Sequence, residues 1–211
     1  MSFVKRHWIP AFAGMTLPDH RRTDPLRRCP ARMEPAVIWT IGHSTRALDE
    51  FIGLLRGEHI ELVADVRRYP ASRMHPHFNA EALRQSLTAA GLRYEGYPEL
   101  GGCRSPRPGS ANTRWRNASF RGYADYMETP AFDAALARLM ADAADARMAI
   151  MCAEAPWWRC HRALIADALK ARGVEVLHIM GGKDPIVHPY TSAASIVDGK
   201  LYYGPSPDLF G

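Results

Sequence analysis

A three-layer α/β domain is the fold this sequence predicts: a mostly parallel sheet of about five strands, helices on both faces and a C-terminal hairpin. Three observations carry the prediction. Short apolar runs alternate with segments of helical period. Glycine, proline or a capping residue punctuates most of the boundaries. Polar and reactive side chains gather where the apolar runs end. Alternation of this kind means βαβ units, and those need a parallel sheet covered on both sides.

The first apolar run is AVIWTIG (36–42), a buried strand closing in glycine. TRALDEFIGLLRGE (45–58) sets Leu48, Phe51, Ile52, Leu54 and Leu55 on one helical stripe. Ser44 is its simplest N-cap, with Thr45 as the alternative. IELVADVR (60–67) is a second strand, and NAEALRQSLTAAG (79–91) a helix with Asn79 at its start and Gly91 at its end. LRYEGYP (92–98) is a third strand, followed by a Gly/Pro/Arg-rich loop to about residue 117. FRGYADYM and TPAFDAALARLMADAADA read as helices, the second with Thr129 as cap and Pro130 in its first turn. RMAIMCA (147–153), WRCHRALIADALKARG (158–173) and VEVLHIM (174–180) give strand, helix and strand. SIVDGKLYYG has the pattern of a hairpin turning at Asp198-Gly199.

Residues 1–32 stand apart and 33–211 form the single domain. The net charge of +5 is concentrated in the leader, which holds seven basic and two acidic residues. The remaining 20 basic and 20 acidic residues leave the body formally neutral, so global attraction to nucleic acid is not expected. HWIPAFAGMT resembles the peptide made when a bacterial intergenic repeat is read through, which places the expected natural start at Met33. No apolar run approaches the ~20 residues of a membrane-spanning helix. A cytoplasmic protein without membrane contact is expected. The thiols Cys103, Cys152 and Cys160 are expected to be reduced, being odd in number and accompanied by no secretory signal.

In open α/β sheets, ligands bind beyond the C-terminal ends of the strands. Here those ends carry His43 and Ser44, then Asp65 and Arg67, then Cys103 and Arg104, then Cys152 and Glu154. The expected catalytic set is Cys152, Glu154, His43 and Asp65. Ser44, Arg67, Arg73, Arg104, Trp158, Arg159 and His161 are expected to bind the substrate. Guanidinium groups at such a rim suit a small anion, such as a phosphate, sulfate or carboxylate. A thiol near a helix start is a candidate thiolate. Cys160 is read as a core thiol, because Cys160, His161 and Arg162 would be consecutive on a helix and point in different directions. C-x7-C-H matches no structural zinc spacing, so neither metal nor other cofactor is expected. Two other readings compete. One is a nucleic-acid-binding module using loop 101–117, with Trp115 stacking on a base. The other is a regulatory domain that holds a ligand without turnover.

TIGHS, DVRRYPASRMHPHF, LGGCR, FRGYADYM, MCAE and WRCHRALIADAL occur in that order between about residues 38 and 178. Together they resemble the bacterial family known as domain of unknown function 488. That resemblance implies a small α/β protein of the cytoplasm and no established activity. A fainter likeness, carried by LVADVR and by MCAE…WRCHRALIADALKARGVEVLHI, is to rhodanese-like sulfurtransferases. It implies Cys152 as a persulfide carrier and Arg159 as its anion-binding arginine. The C-x6-R interval, with Glu154 and Pro156 inside it, departs from that family's loop.

Overall fold

The computed structural model describes residues 36–182 and 184–205. The leader 1–32 lies outside them. Five strands run parallel: β1 (Val37–Gly42), β2 (Leu62–Asp65), β3 (Arg93–Gly96), β4 (Met148–Cys152) and β5 (Glu175–Ile179). A two-residue strand β6 (Ile186–Val187) adds antiparallel to β5, giving the order β3-β2-β4-β1-β5-β6. The sheet thus has one strand more than the apolar runs predicted. β7 (Ser195–Val197) and β8 (Lys200–Tyr202) form the expected hairpin. Asp198 (φ 48°) and Gly199 (φ 73°) both take the left-handed conformation that a tight two-residue turn requires.

The central strands are buried on both faces, and the pleat sorts their side chains into two cores. On one face Trp39, Ile41, Val63, Tyr94, Ala149 and Met151 pack against α1 (Leu48–Gly57) and α2 (Ala80–Ala89), through Phe51, Leu55, Leu83 and Leu87. On the other, Ile38, Leu62, Ala64, Met148, Ile150 and Val176 meet α3 (Ala118–Met127), α4 (Pro130–Ala144) and α5 (Arg162–Ala171). Tyr123, Phe132, Leu136, Leu164 and Leu169 fill that side. Thr129 caps α4 by accepting from Phe132 N, with Pro130 in the first turn as expected.

Two caps differ from the sequence reading. α1 begins three residues later than a Ser44 cap would place it, and its N-cap position is Ala47. Ser44 instead takes φ 49° and donates its N–H to Ala153 O, prolonging the β1–β4 pairing past the strand end. Asn79 does sit at the N-cap of α2, but its side-chain oxygen accepts from Ser72 N and pins the preceding loop. Among the described residues no helix is long and apolar enough to cross a membrane.

Candidate active site

β1, β2, β3 and β4 end at one rim. Gly42 lies beside Cys152, and Asp65 beside Met151 and Gly96. Past β1 the chain is tied across the rim by His43 N donating to Cys152 O at 3.0 Å. Gly42 is required there, because a Cβ would lie 1.9 Å from Glu154 O. Alternation along the strands then sends the polar groups to opposite faces. Cys152 follows Met148 and Ile150 toward α5, whereas Asp65 follows Val63 toward α2.

On the α1–α2 face Asp65 is 1% exposed and fully engaged. It accepts from Arg67 Nη2 at 2.6 Å, Arg67 Nε at 2.9 and 3.1 Å, Arg67 N at 3.0 Å and Tyr94 OH at 2.7 Å. Arg67 Nη1 lies 3.3 Å from His43 Nε2, and the His43 ring stacks on Phe78 at 4.2 Å. Burial lowers the His43 pKa to about 4, with Arg67 adding to the effect. The ring is therefore neutral at pH 7, donating from Nδ1 to Ser44 O and accepting from Arg67.

On the other face Cys152 meets two groups from the start of α5. The expected helix from residue 158 is interrupted. A 3-10 turn spans Trp157–Arg159, Cys160 is extended (φ −127°, ψ 148°), and α5 begins only at Arg162. The break overturns the argument from consecutive helical positions. Cys160 and His161 both turn toward Cys152, and the two sulfurs and the imidazole Nδ1 lie within 4.8 Å of one another. Nδ1 is 3.6 Å from Cys160 Sγ and 4.0 Å from Cys152 Sγ. His161 Nε2 lies 3.2 Å from Val66 O, a carbonyl that can only accept, so the ring proton sits on Nε2. Gly102 closes the other side, where a Cβ would lie 2.9 Å from Nδ1. The Cys160 thiol is pulled well below its usual pKa by the Cys152 S–H. The shared proton holds Cys152 well above its own.

Arg162, the first residue of α5, is 1% exposed, and its charge acts on both thiols. It donates to Glu154 O, Ala155 O and Thr40 Oγ1. From Thr40 a buried chain continues through His178 and His188 to Asp167, with steps of 2.7, 2.9 and 3.0 Å. Trp157 stacks on His178 at 4.3 Å, so this tryptophan belongs to the packing.

A cleft of about 620 Å³ opens over the cluster. Of the residues expected at the site, Arg67, Cys152, Glu154, Trp158, Arg159 and His161 line it. His43, Ser44 and Asp65 do not; they lie behind its wall and reach it through Arg67. Arg73 is exposed and outside the cleft. Arg104 is also outside it, with its guanidinium 3.4 Å from the Tyr126 ring centroid and bonded to Glu99 O and Gly101 O. Loop 101–117 folds inward at Trp115, which is partly buried and packs on Phe120 and Tyr203. Cys160, Arg68 and Tyr123 line the cleft without having been assigned to it. The Arg67-Arg68 pair was the readable signal for Arg68; nothing local marked Tyr123. A second cavity of about 470 Å³, between α3, α4, α5 and the hairpin, is lined by neither cysteine nor histidine.

No curated protein and no solved structure matches the chain. The fainter rhodanese-like resemblance finds no support. The family model described as "Domain of unknown function DUF488" matches residues 47–169, from the start of α1 almost to the end of α5. With more than half of its length matched, the chain belongs to the DUF488 family.

Proposed function

We propose that the protein is an enzyme that acts on a small anionic molecule held in the cleft at the C-terminal edge of the sheet. The observation that carries this reading is the meeting of Cys152, Cys160 and His161 Nδ1 within 4.8 Å on a wall shared with Arg67, Arg68 and Arg159. Two sulfurs and an imidazole lone pair are reactive groups. Arg67 is neutralised by Asp65, but Arg68 and Arg159 outnumber Glu154, the one carboxylate lining the cleft among the described residues, and supply the attraction for an anion. Trp158, 53% exposed at the mouth, offers a flat apolar face to the rest of the ligand. Asp65 acts through Arg67, as a positioning residue.

Alkylation with a charged and a neutral reagent tests this without knowledge of the substrate. The chain is treated with chelator and reductant, and modified thiols are mapped by mass spectrometry. Iodoacetate should gain on iodoacetamide at Cys152 and Cys160 by about tenfold over the same thiols in the denatured chain. Arg68→Ala with Arg159→Ala should bring the ratio most of the way back. A native ratio equal to the denatured one, or thiols inert to both reagents, overturns the reading.

A further inference from the structure

We propose that Cys152, Cys160 and His161 form a binding site for a soft divalent cation of the Zn²⁺ class, with its fourth coordination position open to the cleft. This goes beyond the anion reading and does not depend on it.

The spacing of the donor atoms is the first argument. Tetrahedral zinc with Zn–S near 2.3 Å and Zn–N near 2.05 Å places sulfur and nitrogen about 3.6 Å apart and two sulfurs about 3.8 Å apart. The structure has 3.6 and 4.0 Å for the two sulfur–nitrogen distances and all three atoms within 4.8 Å. The sulfur–nitrogen distances need at most a few tenths of an ångström of closure and the sulfur–sulfur distance at most about 1 Å. The donors also come from stiff places: the end of β4 in the sheet centre, and the two residues that precede α5.

The imidazole is oriented for the task. With its proton on Nε2 and given to Val66 O, the ring presents the Nδ1 lone pair to the sulfurs. A carbonyl holding the far N–H is the usual outer support of a metal-bound histidine.

Donor chemistry is the third argument. Metal binding displaces the thiol protons, and two thiolates with a neutral imidazole balance the charge of a 2+ ion. Such a set selects zinc over magnesium or calcium, which require oxygen donors.

Three protein ligands on a cleft wall leave a coordination position for water or for a donor atom of the cleft's ligand. The C-x7-C-H interval hides the site because the 3-10 turn, not a regular spacing, returns Cys160 to Cys152.

The experiment is a cobalt titration of the full chain after chelator treatment and reduction. One equivalent of Co²⁺ should produce a thiolate-to-cobalt charge-transfer band and the intense visible bands of a four-coordinate ion. Cys160→Ser, Cys152→Ser and His161→Ala should each weaken binding by about tenfold or more. His59→Asn, altering an exposed histidine outside the cleft, should leave the spectrum unchanged. A wild-type measurement guards against variants that do not fold: one equivalent of Zn²⁺ should slow alkylation of Cys152 and Cys160 at least about tenfold. Azide should shift the visible bands by taking the open position. Absence of the charge-transfer band, its survival in Cys160→Ser, unprotected thiols or bands indifferent to azide each overturn the proposal. The iodoacetate ratio, measured on metal-free protein, judges the anion reading separately.

Discussion

The two faces of the sheet handle buried charge in opposite ways. On the α1–α2 face Asp65 and Arg67 meet directly at 2.6 Å, and Tyr94 and the Arg67 N–H take up the remaining carboxylate positions. On the α3–α5 face Arg162 and Asp167 are equally buried, but Thr40, His178 and His188 stand between them. Both networks remove charge from water at a cost that only partners offset. The first closes on itself. The second holds its anion at one end, with Thr191 and Tyr203 also donating to it, and leaves its cation beside the two cysteines. A closed pair makes a scaffold. A cation separated from its carboxylate biases whatever lies next to it.

The largest effect expected from this contrast is on the closed pair. Asp65→Ala leaves Arg67 buried without a counter-ion and should cost about 3–5 kcal/mol in chemical denaturation. Adding Arg67→Met should recover much of that loss, because the uncompensated charge goes with it. If the single variant costs under about 1 kcal/mol, or the double variant simply adds its losses, Asp65 and Arg67 do not form the unit described.

Acid provides a smaller effect, one titrating histidine on each face. Burial lowers His43 to about 4 and His178 to about 3, from 6.5 when unfolded. The unfolded chain therefore takes up protons below pH 6.5 that the folded chain refuses. Stability present above pH 6.5 should fall with pH, by about 1.4 kcal/mol per unit for each histidine once well below 6.5. The loss should stop near pH 4 for His43 and near pH 3 for His178. Denaturation midpoints between pH 6.5 and 5 isolate the effect from the carboxylates. His43→Gln and His178→Gln should each flatten the profile by one proton; a profile already flat in the wild type refutes the neutral assignments.

Much of this architecture was legible because its signals are local. Thr129-Pro130, Asp198-Gly199 and the apolar runs act over a few residues, and each formed the element it predicted. β6 escaped because two residues carry no period; the open edge of β5 supplies its partner. The rim was legible for a similar reason, since strand ends are readable and ligands gather there. Which face each rim residue takes was not, because that depends on where a strand stops to within one residue. His43 and Cys152 lie on adjoining strand ends, yet a single step of the pleat puts Asp65 and the cysteines on opposite sides. Cys160 was hidden by the 3-10 turn, and the isolation of Arg162 is a property of the packed core alone.

The smallest expected effect concerns two arginines that composition treats alike. Arg73 precedes the turn that delivers Phe78 to the closed face, is exposed and lies outside the cleft. Arg68 is five residues earlier, donates to Cys103 O and lines the cleft. Screening by water and salt makes a guanidinium matter mainly to charges within about 10 Å. Arg73→Ala should therefore leave stability within about 0.5 kcal/mol and change the iodoacetate-to-iodoacetamide ratio by less than about twofold. Arg68→Ala should lower that ratio severalfold, and less so as salt rises. Should Arg73→Ala lower it as much, the attraction would be a diffuse field of the whole rim. The division between a closed scaffold face and the face proposed to bind an anion would then lose its electrostatic basis.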